Sequence, residues 1–207
     1  PYRSVLYVPA ANARAMDKAR SLPTDAIIFD LEDAVAPDEK IAAREVLTDA
    51  LSQDHGPRVR IVRMNALSSD WGRDDARFCA LALAGRVDAV LVPKVEGAAD
   101  LDLIGGLIPD IPLWAMMETP RGILNAAEIA AHPRLEGMVI GTNDLAKDLN
   151  SRFRPDRLPM LTSLGMCLLA ARAQGRVIVD GVYSAFQEDD GLRAELFHDK
   201  HRSRIRP

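Results

Sequence analysis

Arg63, Glu118 and Asp144 are the residues whose types and settings point most directly to chemistry, because each stands where an apolar run gives way to polar residues. In Val59-Arg60-Ile61-Val62-Arg63 alternate residues share one face of a strand, so Arg63 extends the stripe of Val59 and Ile61. A guanidinium there must meet an anion. It is read as a bidentate donor for a substrate carboxylate or oxyanion; the alternative is a salt bridge to a strand-end acid such as Glu32 or Asp33. Glu118 follows the apolar run 112–117, where an ionised carboxylate is costly unless a cation neutralises it. Asp144 follows the next such run, and consecutive parallel strands are neighbours, so the two carboxylates should converge. Two oxygen ligands with no imidazole or thiolate suit a hard ion that keeps several waters, and magnesium is the natural candidate. In the competing reading Asp144 caps a helix beginning near Leu145 and Glu118 pairs with Arg121 or Arg63.

Asp30, Glu32 and Asp33 crowd one strand end, which is unfavourable unless Arg63, Lys94 or an ion offsets their charge. Asp33 is placed to orient Arg63 or a metal-bound water; in the plainer reading two of the three acids are solvated or cap the following segment. Arg14 and Lys18, one helical turn apart, form a small cationic stripe suited to phosphate, or simply to the surface. The histidines offer less: His55 lies in a Gly-Pro turn, His132 precedes a proline, and His198 and His201 sit in a basic tail. Cys79 and Cys167 have helix-type neighbours and no metal-ligand spacing, so they read as buried thiols of a reducing compartment. No GxSxG elbow, Walker loop or GxGxxG fingerprint is present.

The elements that must position these residues alternate along the chain. Strands are predicted at 4–8, 26–31, 59–64, 89–92, 113–117, 138–140 and 176–179, and helices at 11–21, 38–52, 74–84, 98–107, 122–131 and 159–174. Continuous apolar runs such as Ala26-Ile27-Ile28-Phe29 mark strands buried on both faces. Nearly every strand ends in a charged or turn-forming cluster, which a closed barrel gathers into one ring. Residues 151–159 read as a long loop over the barrel mouth. With 207 residues and 48% hydrophobic content, 1–207 is expected to be a single β/α barrel domain. The net charge of −4 gives no footprint for nucleic acid, and no apolar run is long enough to cross a bilayer. The amino terminus does not resemble a secretory signal, so a cytoplasmic protein is expected.

Six ordered segments then point to a family. They are Arg3-Ser4-Val5-Leu6-Tyr7-Val8-Pro9, Phe29-Asp30-Leu31-Glu32-Asp33-Ala34-Val35, Val62-Arg63-Met64-Asn65, Leu91-Val92-Pro93-Lys94-Val95-Glu96, Met117-Glu118-Thr119-Pro120-Arg121-Gly122 and Gly141-Thr142-Asn143-Asp144-Leu145. Across nearly its whole length the chain resembles the citrate lyase β-subunit-like branch of the HpcH/HpaI aldolase superfamily. The resemblance implies a TIM (β/α)8-type barrel, assembled as a homotrimer or hexamer, acting on a 3-hydroxydicarboxylyl-CoA thioester such as malyl-CoA or citramalyl-CoA. Glu118 and Asp144 match the family's magnesium ligands, Arg63 its substrate-binding arginine, and Arg14 and Lys18 the positions that contact the nucleotide end of coenzyme A. Glu32 and Asn65 are added to Arg63 and Glu118 as the expected substrate-binding set, and Asp33 to Arg63 and Glu118 as the expected catalytic set. The activity implied is a carbon–carbon lyase reaction, retro-aldol cleavage to an acetyl-CoA enolate that Arg63 stabilises. An acyl-CoA thioesterase using the same site, or a non-catalytic acyl-binding subunit, are the alternatives. One departure concerns the eighth strand: residues 197–207 form an atypical basic tail that makes a poor barrel strand, so the barrel is expected to be incomplete or altered there.

Overall fold

β-branched and apolar side chains fill seven short strands, β1 Val5–Pro9, β2 Ala26–Asp30, β3 Val59–Arg63, β4 Ala89–Val92, β5 Leu113–Met117, β6 Leu135–Ile140 and β7 Val177–Val179. The architecture is that of a computed structural model, which describes residues 2–152, 154, 156–183 and 190–193. The strands form one sheet in chain order, every pair parallel, with helices on the connections: a barrel of TIM type, as the strand-end pattern predicts, and open among the described residues, as the atypical eighth-strand segment predicts. Among the described residues β1 and β7 each have one neighbouring strand. The expected eighth-strand region and its basic tail, 197–207, lie outside the described residues.

The period of two along each strand sorts side chains into two packed layers. Ile27, Phe29 and Val62 point outward and join the helices' apolar faces in the larger core. Ala26, Ile28, Ile61, Leu91, Trp114, Met116 and Val139 point inward and fill the barrel. Trp114 is the bulkiest inward residue, and it fits because the facing position is Gly137: a Cβ there would stand 2.5 Å from the indole ring. Continuing the same parity by one step places Asp30, Arg63 and Glu118 on the inward face at the carboxyl ends of β2, β3 and β5.

The helices are α1 Ala13–Ala19, α2 Lys40–Leu51, α3 Gly72–Ala82, α4 Ala98–Leu107, α5 Pro120–Leu124, α6 Ala126–Ala131, α7 Thr142–Asp148 and α8 Leu161–Ala173. Where one helix is predicted at 122–131 there are two. Asn125 leaves the helical region at φ −95, ψ 12, and its amide donates to the Glu96 carbonyl at 2.7 Å instead of staying solvated, which breaks the run. Thr119 caps the first of the pair, its hydroxyl accepting from Gly122 N–H at 3.0 Å, with Pro120 at the first helical position. The helix expected to begin near Leu145 begins at Thr142, so Asp144 lies inside its first turn and is not its cap.

Candidate active site

The inward-facing strand ends meet in a cavity of about 320 Å³ lined by Tyr7, Asp30, Asp33, Arg63, Glu118 and Asp144 among others. Asp30 and Arg63 are direct partners in the β2–β3 register, and two nearly parallel bonds join them, Nε to Oδ1 at 2.7 Å and Nη2 to Oδ2 at 2.5 Å. The salt-bridge alternative for Arg63 named Glu32 or Asp33, and both do contact the guanidinium, at 3.1 and 3.5 Å, yet Asp30 is the principal partner. Parity places Asp30 on the inward face with Ala26 and Ile28, but only the register sets it opposite Arg63. Asp30 also accepts from the backbone N–H of Glu32 and Ala34, folding the acidic loop around itself. Burial opposes the charge on Arg63, but the bonds and charge of Asp30, with Glu32, outweigh it and hold the guanidinium protonated. The Tyr7 ring lies 5.3 Å from the guanidinium carbon, and burial pushes its phenol up, so it is neutral.

Glu32 is withheld from water. Burial pushes its carboxyl up to about 8; Arg63 partly offsets this, and the charges of Glu118 and Asp33 add to it. Its Oε2 is within ion-pair distance of Arg63 but lacks the alignment of a hydrogen bond. The loop that carries it is pinned by Lys40, whose buried ammonium donates to the carbonyls of Leu31 and Glu32 at 2.9 and 2.8 Å. Asn65 acts in the same way. Its amide donates to the Leu31 carbonyl at 2.9 Å and to Asp75 at 2.6 Å, so it braces the acidic loop from behind and does not line the cavity.

On the opposite wall Glu118 is 2% exposed, and its Oε1 accepts the backbone N–H of Lys94 at 2.8 Å. Burial raises its proton affinity, against the opposing pull of Lys94 and then Arg63. Asp144 pairs with the Lys94 ammonium, which also lies 3.9 Å from Glu118 Oε1. Glu118 thus meets Lys94, not Arg121, and the two carboxylates converge as expected, with a cation between them. Gly141 makes the approach possible: a Cβ there would stand 2.5 Å from Glu118 Cβ and 2.6 Å from its Oε2. Lys94 lies in one of the six family segments but was foreseen only as a charge offsetting the acids after β2, not as the partner of Glu118 and Asp144.

These donors fit a hard divalent ion. Both are carboxylates, and a positive charge is already accommodated between them. The remaining coordination positions would fall to water and substrate oxygens. Arg14 and Lys18 are exposed on α1 and do not line the cavity. His55 is buried edge-on to Phe29 with Nδ1 on the Gln53 carbonyl, and His132 contacts Asp102, so neither serves the cavity. Cys79 and Cys167 are buried free thiols, as expected, and burial pushes both up, Cys167 to about 12.

The profile of the HpcH/HpaI aldolase/citrate lyase family matches residues 3–201. The chain belongs to that family. A (3S)-malyl-CoA thioesterase of Cereibacter sphaeroides (strain ATCC 17025) is 62% identical over 97% of this chain and 70% of its own length. The citrate lyase β subunit of Escherichia coli K12 is 36% identical over 96% of this chain and 69% of its own. Among solved structures, the CitE protein of Mycobacterium tuberculosis in complex with magnesium, acetoacetate and coenzyme A superposes with a TM-score of 0.78 at 34% identity, covering 93% of this chain and 70% of that one. That protein, on the same scaffold, binds magnesium and coenzyme A.

The comparison corrects the expected reaction. The relatives at 62–63% identity are thioesterases, hydrolases of the carbon–sulfur bond, whereas the lyase subunits of this family stand at 32–36%. The carbon–carbon lyase assignment is thereby overturned. It arose because the six segments that carry the resemblance identify the family and not the reaction.

Proposed function

We propose that this protein is a magnesium-dependent hydrolase of a 3-hydroxydicarboxylyl-CoA thioester, with (3S)-malyl-CoA as the substrate. The observation that carries the reading is the 62% identity to a (3S)-malyl-CoA thioesterase over 97% of the chain. The cavity supports it chemically: a buried arginine faces a carboxylate pair suited to a cation, and together they offer positive charge to the carboxylate, hydroxyl and thioester oxygens of such an acyl group.

Glu118 and Asp144 are the residues that hold magnesium, and the chemistry the ion supplies when bound is neutralisation and polarisation of the acyl group's oxygens. Arg63 has five N–H donors, three of them engaged by Asp30 and Asp33, which leaves two for the substrate. They are placed to stabilise negative charge on the thioester oxygen as water adds, and the Asp30 bonds fix their direction beforehand. Asp33, 64% exposed at the cavity wall, is the carboxylate open to a water molecule and takes its proton. As the water oxygen bonds to the acyl carbon the carbon–sulfur bond breaks, and coenzyme A leaves as the thiolate and is protonated from solvent. Arg14 and Lys18 hold the nucleotide phosphates, which their exposure on the first helix after β1 permits. The two free buried thiols support a reducing, cytoplasmic setting, and the exposed Leu81, Leu124 and Leu169 on outer helices support assembly into a homotrimer or hexamer. Among the described residues no helix is long and apolar enough to cross a membrane.

Incubation with (3S)-malyl-CoA, with and without magnesium, tests the reading when free thiol, malate and glyoxylate are measured separately. Thiol and malate in equal amounts, dependent on magnesium and lost in Glu118→Gln, are expected. Glyoxylate with acetyl-CoA, or no turnover, would reject it.

A further inference from the structure

Lys94 has a backbone conformation and a side-chain position that the hydrolytic reading does not use. It lies two residues beyond β4 with φ 53, in the left-handed region that a residue other than glycine or asparagine seldom enters. The bond from its backbone N–H to Glu118 Oε1, 2.8 Å long, holds it there. From that turn the side chain crosses to the opposite wall, where Nζ pairs with Asp144 and lies 3.9 Å from Glu118 Oε1. The ammonium therefore occupies the ground between the two carboxylates assigned to a divalent ion. The side chain is still 42% exposed, so it has a path to water. An ammonium and a divalent cation a few ångströms apart repel strongly, and the pair of carboxylates cannot serve both closely at once.

We propose that Lys94 is a tethered counter-cation of the metal site: it neutralises Glu118 and Asp144 when no divalent ion is bound, withdraws toward the cavity mouth when one enters, and so sets the ion's affinity. The inference rests on the reading that Glu118 and Asp144 hold the ion. Two consequences follow from charge alone. Without metal the protein needs the ammonium, because Glu118 and Asp144 otherwise repel each other across a poorly hydrated wall. With metal the ammonium is a competitor.

The test is titration of the full chain with Mn²⁺, followed by electron paramagnetic resonance of the free ion, beside thermal melting with and without Mg²⁺. Lys94→Asn removes the charge and suits the left-handed backbone; Lys94→Met keeps the apolar stem and carries the same expectation if the first variant folds poorly. Both are expected to bind Mn²⁺ about tenfold or more tightly than the parent. Their melting temperature without ion should fall, and Mg²⁺ should raise it by more than it raises that of the parent. Unchanged or weaker Mn²⁺ binding in the variants overturns the inference. If instead the parent fails to bind Mn²⁺, or Glu118→Gln binds it equally well, the metal-site reading itself fails.

Discussion

Glu32 and Asp33 are adjacent carboxylates with opposite surroundings, and the difference follows from which way each side chain points. Asp33 faces the cavity mouth and stays in contact with water, while Glu32 is turned behind Arg63, 7% exposed, with its carboxyl pushed to about 8 by burial and by the charges of Glu118 and Asp33. The sign of its effect on stability is fixed by that rise. An acid whose folded pKa exceeds its unfolded value binds its proton more tightly when folded, so its contribution is full below the unfolded value of about 4.5 and is lost as pH rises through about 8. Urea denaturation of the parent and of Glu32→Gln from pH 5 to 9 should therefore diverge, the parent losing stability relative to the variant as pH increases. Parallel curves would show that Glu32 ionises freely in the folded chain.

At the level of elements, glycines in β6 and after it perform two separable tasks. Gly137 within the strand leaves room for Trp114, the plug of the barrel interior, and Gly141 after it leaves room for Glu118. A methyl group at Gly137 meets the rigid indole at 2.5 Å and should cost about 1–3 kcal/mol, read as a lowered denaturation midpoint. Gly141→Ala presses instead on Glu118, so it should lose magnesium-dependent turnover out of proportion to any loss of stability. Equal losses of both properties in the two variants would mean that Gly141 only packs. The same logic shows why α5 and α6 are separate helices: Asn125 exchanges helical continuity for a bond to the Glu96 carbonyl, which ties the segment after β5 to the turn after β4, the two segments that flank Glu118 and Lys94.

The molecule as a whole is a ring of parallel strands interrupted between its last and first members among the described residues. Parallel strands in the middle of the sheet have backbone partners on both sides and apolar side chains buried on both faces, whereas β7 is only partly buried and, among the described residues, has one neighbour. Hydrogen exchange read by mass spectrometry should accordingly release the amides of β7, then β1, before those of β4 and β5. Protection of β7 equal to that of β5 would indicate that this edge is covered in the folded protein.

Much of this was written in the linear order of the residues. Apolar runs of strand length separated by helix-length segments determine a parallel sheet, and parity along a strand determines that Arg63 faces inward with Ile61. Glu118 and Asp144 were legible for a similar reason: acids directly after apolar strands require a partner, and neighbouring strands bring them together. Local patterns of this kind carry the information because backbone geometry repeats along the chain. What repeats cannot express, only the tertiary structure decided. That Asp30 is the main partner of Arg63 depends on the β2–β3 register, that Asn65 braces a loop and does not line the cavity depends on Asp75 arriving from α3, and that Lys94 stands between two acids depends on a left-handed turn. Each is a meeting of groups far apart in sequence at distances of a few ångströms, set by how whole elements pack and not by the identity of any neighbour along the chain.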